Sequence, residues 1–249
     1  MKIAVTGASG YIGSHLCAAL REYGCDLFEI ELQPYKPMVV DVLFHLAAPS
    51  HVGLFDEAPA YAFRQLADAN GWLHHIKADR CVFTSTACEK GLYAISKRMT
   101  EDLVKELFPS KYSIVRLHNV AGGKWPEGRT PTHLIPTLTT GKITINGSGQ
   151  QVRDYIHIQD VVDALFMVAG LEVDRRIAKG TPFNSMIEVG SGVGHTVWQV
   201  VARYLQLTGK SVEISCVEQG RATNPDRQVC YDPFFTDMKT LDQIIMTAC

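Results

Sequence analysis

The chain has little net charge, no long apolar run and no paired cysteines. Its 249 residues carry a formal charge of -2 and no basic block. That argues against an electrostatic partnership with nucleic acid or a membrane surface. No stretch approaches the ~20 apolar residues needed to span a bilayer. The first residues are broken up by Thr6, Gly7, Ser9 and Gly10 and do not read as a secretory leader. Seven cysteines are scattered without a C-x-x-C pair, so reduced thiols in a cytoplasmic protein are expected. His74-His75 has no third ligand at suitable spacing, and no metal is expected. Internal repeats and low-complexity tracts are also missing.

What is present is a globular chain with 46% hydrophobic residues, enough for a sizeable core. Lys2 to Thr6 reads as a buried strand, and Ile12, Leu16, Leu20 and Tyr23 follow with helical spacing. Strands are expected at Asp26 to Leu32, Val39 to Ala47, Arg80 to Ser85 and Tyr112 to Leu117, with helices over about Ala58 to Ile76 and Tyr93 to Leu107. This alternation predicts an α/β protein, a Rossmann-type doubly wound parallel sheet with helices on both faces. Past Asn119 the pattern loosens at Gly122, Gly123, Pro126, Gly128 and Pro131, with helices near Val161–Ala169 and Val197–Leu207 and a strand near Ile187. The expected division is a dinucleotide-binding domain over 1–118 and a smaller mixed α/β substrate lobe over 119–249, some of it packing back on the first.

Thr6-Gly7-Ala8-Ser9-Gly10-Tyr11-Ile12-Gly13 follows a strand and opens a helix, the context in which a Gly-rich motif holds a dinucleotide. Gly7 permits the tight turn, Gly10 lets backbone approach a pyrophosphate, and Gly13 lets helix and strand pack closely. The helix start offers unpaired N–H groups and partial positive charge to phosphates. Glu31 lies 18 residues past Gly13. An acid there accepts hydrogen bonds from ribose hydroxyls and repels a 2′-phosphate, which favours NAD over NADP. Downstream, Tyr93 and Lys97 stand at i and i+4 on one helix face. A nearby ammonium lowers a phenol's pKa, so the pair is suited to general acid/base work on a hydroxyl or carbonyl. The spacing alone arises often by chance. Its position after the strand ending Phe83-Thr84-Ser85-Thr86 gives it weight.

With these segments, and with His45-Leu46-Ala47-Ala48, Arg116-Leu117-His118-Asn119-Val120, Arg153-Asp154-Tyr155-Ile156-His157-Ile158 and Asp160, the chain resembles the extended short-chain dehydrogenase/reductase family. Within it, the likeness is to the nucleotide-sugar epimerases and dehydratases of the UDP-galactose 4-epimerase type. The resemblance implies that Thr86 polarises the sugar hydroxyl, Tyr93 takes its proton and Lys97 binds the nicotinamide ribose. It also implies that Tyr11, Ile12, Ala47, Ala48 and Pro49 pass beside the cofactor, and that Asn119, Arg153, Arg221 and Asp226 hold the substrate nucleotide. It implies a homodimer, in which the helix carrying Met99, Leu103 and Leu107 pairs with its copy. Dehydratases of the family carry Asp-Glu after the Thr; here Ala87-Cys88 follow, and Glu89 reads as a loop residue. The implied activity is C4 epimerisation of a nucleotide sugar with NAD. A nucleotide-sugar reductase or dehydrogenase, or a truncated NAD binder with little catalysis, stays open.

The chain departs from the family in three places. Only nine residues separate Glu31 from Asp41, too few for the usual parallel crossover, so one βα unit is expected to be missing and the adenine pocket open on one side. Only six residues separate Thr86 from Tyr93, which shortens the substrate's cover. Ala62 stands where the family has an Asn, and Asn70 reads as a plain helix residue. His118 takes a position where the family often has an aromatic, with nicotinamide contact and packing both open. Cys88, without an adjacent base, does not read as a nucleophile.

Overall fold

The computed structural model describes residues 1–31, 34–127, 134–173, 184–217, 227–235 and 237–249. The elements run β1 (Lys2–Thr6), α1 (Tyr11–Tyr23), β2 (Asp26–Ile30), β3 (Met38–His45), α2 (Val52–Glu57), α3 (Pro59–His75), β4 (Ile76–Thr86), α4 (Leu92–Leu107), β5 (Tyr112–Leu117) and β6 (Asn119–Ala121). They continue with α5 (Leu134–Leu138), β7 (Lys142–Asn146), β8 (Val152–His157), α6 (Ile158–Val168), β9 (Ser185–Val189), β10 (Gly194–Thr196), α7 (Val197–Thr208), β11 (Glu213–Val217), β12 (Arg227–Gln228) and α8 (Leu241–Ala248).

The alternation read from the sequence folds as expected into a doubly wound sheet, all parallel, in the order β2-β1-β3-β4-β5-β9. Its strands are apolar on both faces. Ile3, Val5, Val42, Phe44, Val82 and Val115 pack toward α1 and α6, while Ala4, Leu43, Cys81, Phe83 and Ile114 pack toward α3 and α4. That is the period-two division of a strand buried on both sides. Residues after 118 therefore return to this layer: α6 joins the core beside α1, and β9 pairs with β5. A third core gathers α5, α7 and α8 around β7 and Tyr155 of β8.

The order of strands agrees with the missing βα unit, since among the described residues β2 is the sheet's edge. Thr6 of β1 is level with both Ile30 and His45, so the chain leaves β2 level with the end of β3 and must descend to Met38. The seven positions between Ile30 and Met38 are fewer than the dozen or more that a parallel crossover through a helix takes. β4 begins at Ile76, four residues earlier than expected, because the lower half of β3 (Met38 to Val40) supplies its partner.

Candidate active site

The Gly-rich turn sits at the carboxyl end of β1, where the strand order reverses between β2 and β3, the usual ligand crevice of an open α/β sheet. Gly7 takes φ +70°, and a Cβ there would lie 2.8 Å from the Ala47 nitrogen. Gly10 N–H closes the turn on the Gly7 carbonyl at 3.0 Å. A Cβ on Gly13 would lie 2.1 Å from the Gly7 carbonyl oxygen, so α1 approaches the turn as only glycine allows. The first intrahelical donor is Ser14, to Gly10 at 2.8 Å. The N–H groups of Tyr11, Ile12 and Gly13 therefore have no acceptor within the helix. Neither acid nor side-chain cap occupies this end. A dinucleotide's pyrophosphate fits such a cradle.

One cleft of about 690 Å³ runs from this turn across the strand ends. It is lined by Gly7, Gly10, Tyr11, Ile12, Gly13, Glu31, Ala47, Ala48, Pro49, Thr86, Tyr93, Lys97, Asn119 and Arg153, all named from the sequence. Arg221 and Asp226 lie outside the described residues. Glu31 follows the edge strand, and Thr86 ends β4, three strands across. At about 4.8 Å per strand the two ends stand roughly 14 Å apart, a dinucleotide-sized span.

At the far end α4 carries Tyr93 and Lys97. Its anchor is Glu101, buried and accepting from Arg116 Nε (2.8 Å) and Nη2 (2.6 Å) and from Ser85. Tyr93 is hydrogen-bonded to the Thr86 side chain. Burial, and secondarily the Cys88 thiol, push the phenol up to about 12, while Thr86 draws it down. This differs from the sequence expectation of a phenol acidified by Lys97. The Lys97 ammonium instead donates to the Thr84 carbonyl at 3.0 Å and lies 5.1 Å from the centre of the Phe83 ring. The free protein thus holds a protonated phenol over the neutral range.

Lys97 itself is pulled down to about 8, chiefly because burial disfavours its charge, with Glu101 opposing. A free lysine titrates near ~10.4. Between those values the unfolded chain binds the extra proton, so this group's contribution makes folding more favourable as pH rises. Lys97→Met is expected to flatten the rise in thermal stability between about pH 8 and pH 10. Thermal denaturation across that range checks it, and identical slopes in the two proteins would refute it.

The six residues between Thr86 and Tyr93 form a tight turn. Cys88 N–H donates to Thr86 Oγ1 (3.1 Å), and Arg98 donates to the carbonyls of Glu89 (2.8 Å) and Cys88 (3.3 Å). Glu89 is exposed and does not line the cleft, as a loop residue should. On the substrate side the Asn119 amide donates to the Asp154 carbonyl (3.0 Å). The buried Asp154 carboxylate accepts from Ser191 N–H (2.8 Å) and Oγ (2.6 Å), Gly192 N–H (2.9 Å) and Cys230 N–H (3.1 Å). Asp154 is thereby a brace that fixes β8, and with it Arg153. His118 lines the cleft, and its Nε2 pairs with Glu188. Cys230 joins them, the three offering ligand-type atoms within 4.8 Å of one another. His75 bonds the Gly71 carbonyl (2.9 Å) and stacks on Tyr35.

Asn70 is not the plain helix residue it seemed. His45 Nδ1 is 2.8 Å from Thr6 Oγ1, His45 Nε2 is 3.2 Å from Asn70 Oδ1, and Asn70 Nδ2 donates to Thr100 Oγ1 at 3.0 Å. Burial holds His45 down to about 4, so the ring is neutral. Every link is satisfied when Nε2–H donates to Asn70 and Nδ1 accepts from Thr6. The chain ties the base of the Gly-rich turn to α4. Asn70→Leu leaves the His45 N–H without its acceptor and is expected to cost about 1–3 kcal/mol, read from urea denaturation; unchanged stability would show the link to be idle. The sequence carried no signal for it, nor for Trp72, Trp125 and Gln228, which also line the cleft. Trp125 stacks on Tyr11 with ring centres 4.5 Å apart.

This fold and cleft define a dinucleotide-binding α/β protein with a Thr–Tyr–Lys group at the far end of the crevice. The model of the NAD dependent epimerase/dehydratase family matches residues 3–39 and 89–184, and the chain belongs to that family. The chain is 29% identical to a UDP-glucose 4-epimerase of Corynebacterium glutamicum, covering 97% of this chain and 93% of that protein. That alignment runs over 315 positions, so it opens gaps on the side of this 249-residue chain. A dTDP-D-glucose 4,6-dehydratase of Dictyostelium discoideum is 24% identical over 67% of this chain, which spans only 55% of that protein. Among solved structures, UDP-glucose 4-epimerase from Thermotoga maritima with UDP-glucose superposes with a TM-score of 0.77 at 20% identity, covering 100% of this chain and 97% of that one. No helix among the described residues is long and apolar enough to cross a membrane.

Proposed function

We propose that this chain is an NAD-dependent epimerase of a nucleoside-diphosphate sugar, inverting C4 through a transient 4-keto sugar. The observation that carries the reading is the meeting of Thr86, Tyr93 and Lys97 with the Gly-rich cradle in one cleft. NAD, the family's cofactor, supplies when bound a hydride acceptor that returns what it takes. The cradle N–H groups of Tyr11, Ile12 and Gly13 would hold its pyrophosphate, and Glu31 its adenosine ribose, which disfavours a 2′-phosphate. Thr86 and Tyr93 grip the sugar hydroxyl through the hydroxyl pair they already form. Tyr93 takes the hydroxyl proton and later gives it back. A phenol held near 12 when free needs positive charge to act as a base. The oxidised cofactor would bring that charge beside the phenol, and Lys97, turned to the Thr84 carbonyl in the free protein, would hold its nicotinamide ribose. Arg153 supplies a guanidinium to the diphosphate, with Asn119 beside it, and Arg221 and Asp226 belong to the same role.

Dehydration is disfavoured because no acid follows Thr86 into the cleft. Homodimerisation through α4 is part of the proposal, supported by Ile95 and Met99, which stand 48% and 54% exposed on that helix. The test is NMR of UDP-glucose, UDP-galactose, their N-acetyl forms and UDP-glucuronate, each incubated with the protein and catalytic NAD. Interconversion of one C4 pair without net reduction of cofactor is the expected result. Stoichiometric consumption of reduced cofactor would replace the epimerase reading with a reductase, and no turnover with intact NAD binding would leave a binder.

A further inference from the structure

Among the described residues no strand pairs outside β2, where the common strand order of this fold places a third strand that walls the dinucleotide subsite. A different group stands there. Trp72, on α3, lines the cleft together with Ile30, Glu31 and Ala69. Its indole N–H donates to the Glu31 carbonyl at 3.0 Å, which pins the ring to the end of β2. Tyr35, from the short connection that replaces the missing unit, packs edge-on against the indole with centres 5.3 Å apart. Tyr35 is itself fixed twice, by its hydroxyl on the Asp68 carbonyl and by stacking on His75 at 4.9 Å. Gly71 makes room for it, since a Cβ there would lie 2.5 Å from the Tyr35 ring. Trp72 and Gly71 both fall between the two stretches that the family model matches.

We propose that Trp72, buttressed by Tyr35, forms the wall of the subsite that takes the adenine ring, in place of the missing βα unit; this rests on the NAD-binding reading above. Position selects the base rather than the sugar. Trp72 touches the residue that follows the edge strand, while Thr86 and Tyr93 stand at the opposite end of the cleft. Chemistry agrees with position. Trp72 is only 5% exposed and its indole N–H is engaged by Glu31, so what it turns to the cleft is the strip of aromatic surface that the core leaves uncovered, and a purine ring is the part of a dinucleotide that packs against such a strip. A ring anchored at its N–H and braced by Tyr35 loses little freedom when a base packs on it.

Calorimetric titration of the wild type and Trp72→Leu with NAD, ADP-ribose and nicotinamide mononucleotide tests the wall. The variant is expected to bind NAD and ADP-ribose about tenfold more weakly and the mononucleotide as the wild type does. Equal affinity of the two proteins for ADP-ribose overturns the wall alone, and so does a uniform loss for all three ligands, which is what a merely structural tryptophan would give. Wild-type protein that binds no dinucleotide overturns the wall together with the function it rests on. A measurement that leaves Trp72 in place guards against a misfolded variant. With Trp125→Phe and Trp198→Phe, Trp72 is the sole tryptophan, and ADP-ribose should change its emission; unchanged emission at saturating ADP-ribose overturns the proposal.

Discussion

Tyr93→Phe should lower turnover by about two to four orders of magnitude, the contribution of a positioned general acid/base, and leave NAD affinity unchanged. The substitution deletes one oxygen. The ring stays, and with it the edge contact to Phe55 at 5.7 Å. Thr86 keeps a partner in the Cys88 N–H at 3.1 Å, so the turn between β4 and α4 has no reason to open. α4 remains anchored by Glu101 and Arg116, away from the changed atom. What disappears is the one hydroxyl with both the position to share a proton with Thr86 and the phenol chemistry to give it up. The measurement is the rate of sugar interconversion by NMR beside calorimetry of NAD binding. A variant that keeps more than a tenth of the wild-type rate would move the proton transfer to another group, and parallel loss of NAD binding would make Tyr93 a structural residue.

Gly13→Val should abolish dinucleotide binding, with a loss of at least a hundredfold in NAD affinity. At 2.1 Å from the Gly7 carbonyl, even the first carbon of a side chain has no place. The obstacle is backbone, which cannot swing aside as a flexible side chain can. Relief requires α1 to move away from β1, and that takes the N–H groups of Tyr11 to Gly13 off the phosphate position. Overpacking of this kind typically costs about 1–3 kcal/mol in stability, so a fall in thermal stability should accompany the lost affinity. Gly24→Ala is the internal control. Gly24 has φ +79° but nothing within 4 Å of its Cβ position. It should pay only the left-handed backbone cost of about 1–2 kcal/mol and bind NAD normally. Equal NAD affinity in Gly13→Val and wild type would refute the cradle as the dinucleotide site.

The elements most legible in the sequence were those whose causes lie within a few residues. β1 and β5 have the bounds read from periodicity, and α4 starts within one residue of them. The turn between β1 and α1 announced itself because Gly10 and Gly13 answer to steric demands made by Gly7 and Ala8, only a few positions away, although Gly7 answers to distant Ala47. Tyr93 and Lys97 share a helix face by spacing alone. Their electrostatics were a different matter. Whether a phenol is acidified depends on where the ammonium points and how deeply both are buried, and here Lys97 turns to the Thr84 carbonyl.

By itself the sequence determined a parallel α/β layer, the Gly-rich phosphate cradle, the Thr–Tyr–Lys group and the loss of one βα unit after Glu31. Each is written in local spacing, or in a count of residues too small for the usual connection. Only the tertiary structure decided that β9 joins the sheet beside β5, that Asn70 bridges His45 to Thr100, and that Tyr35 packs edge-on against Trp72. Those contacts join residues 25 to 72 positions apart. Their partners are chosen by the packing of whole elements, and no periodicity along the chain encodes which side chain a distant strand or helix will bring alongside.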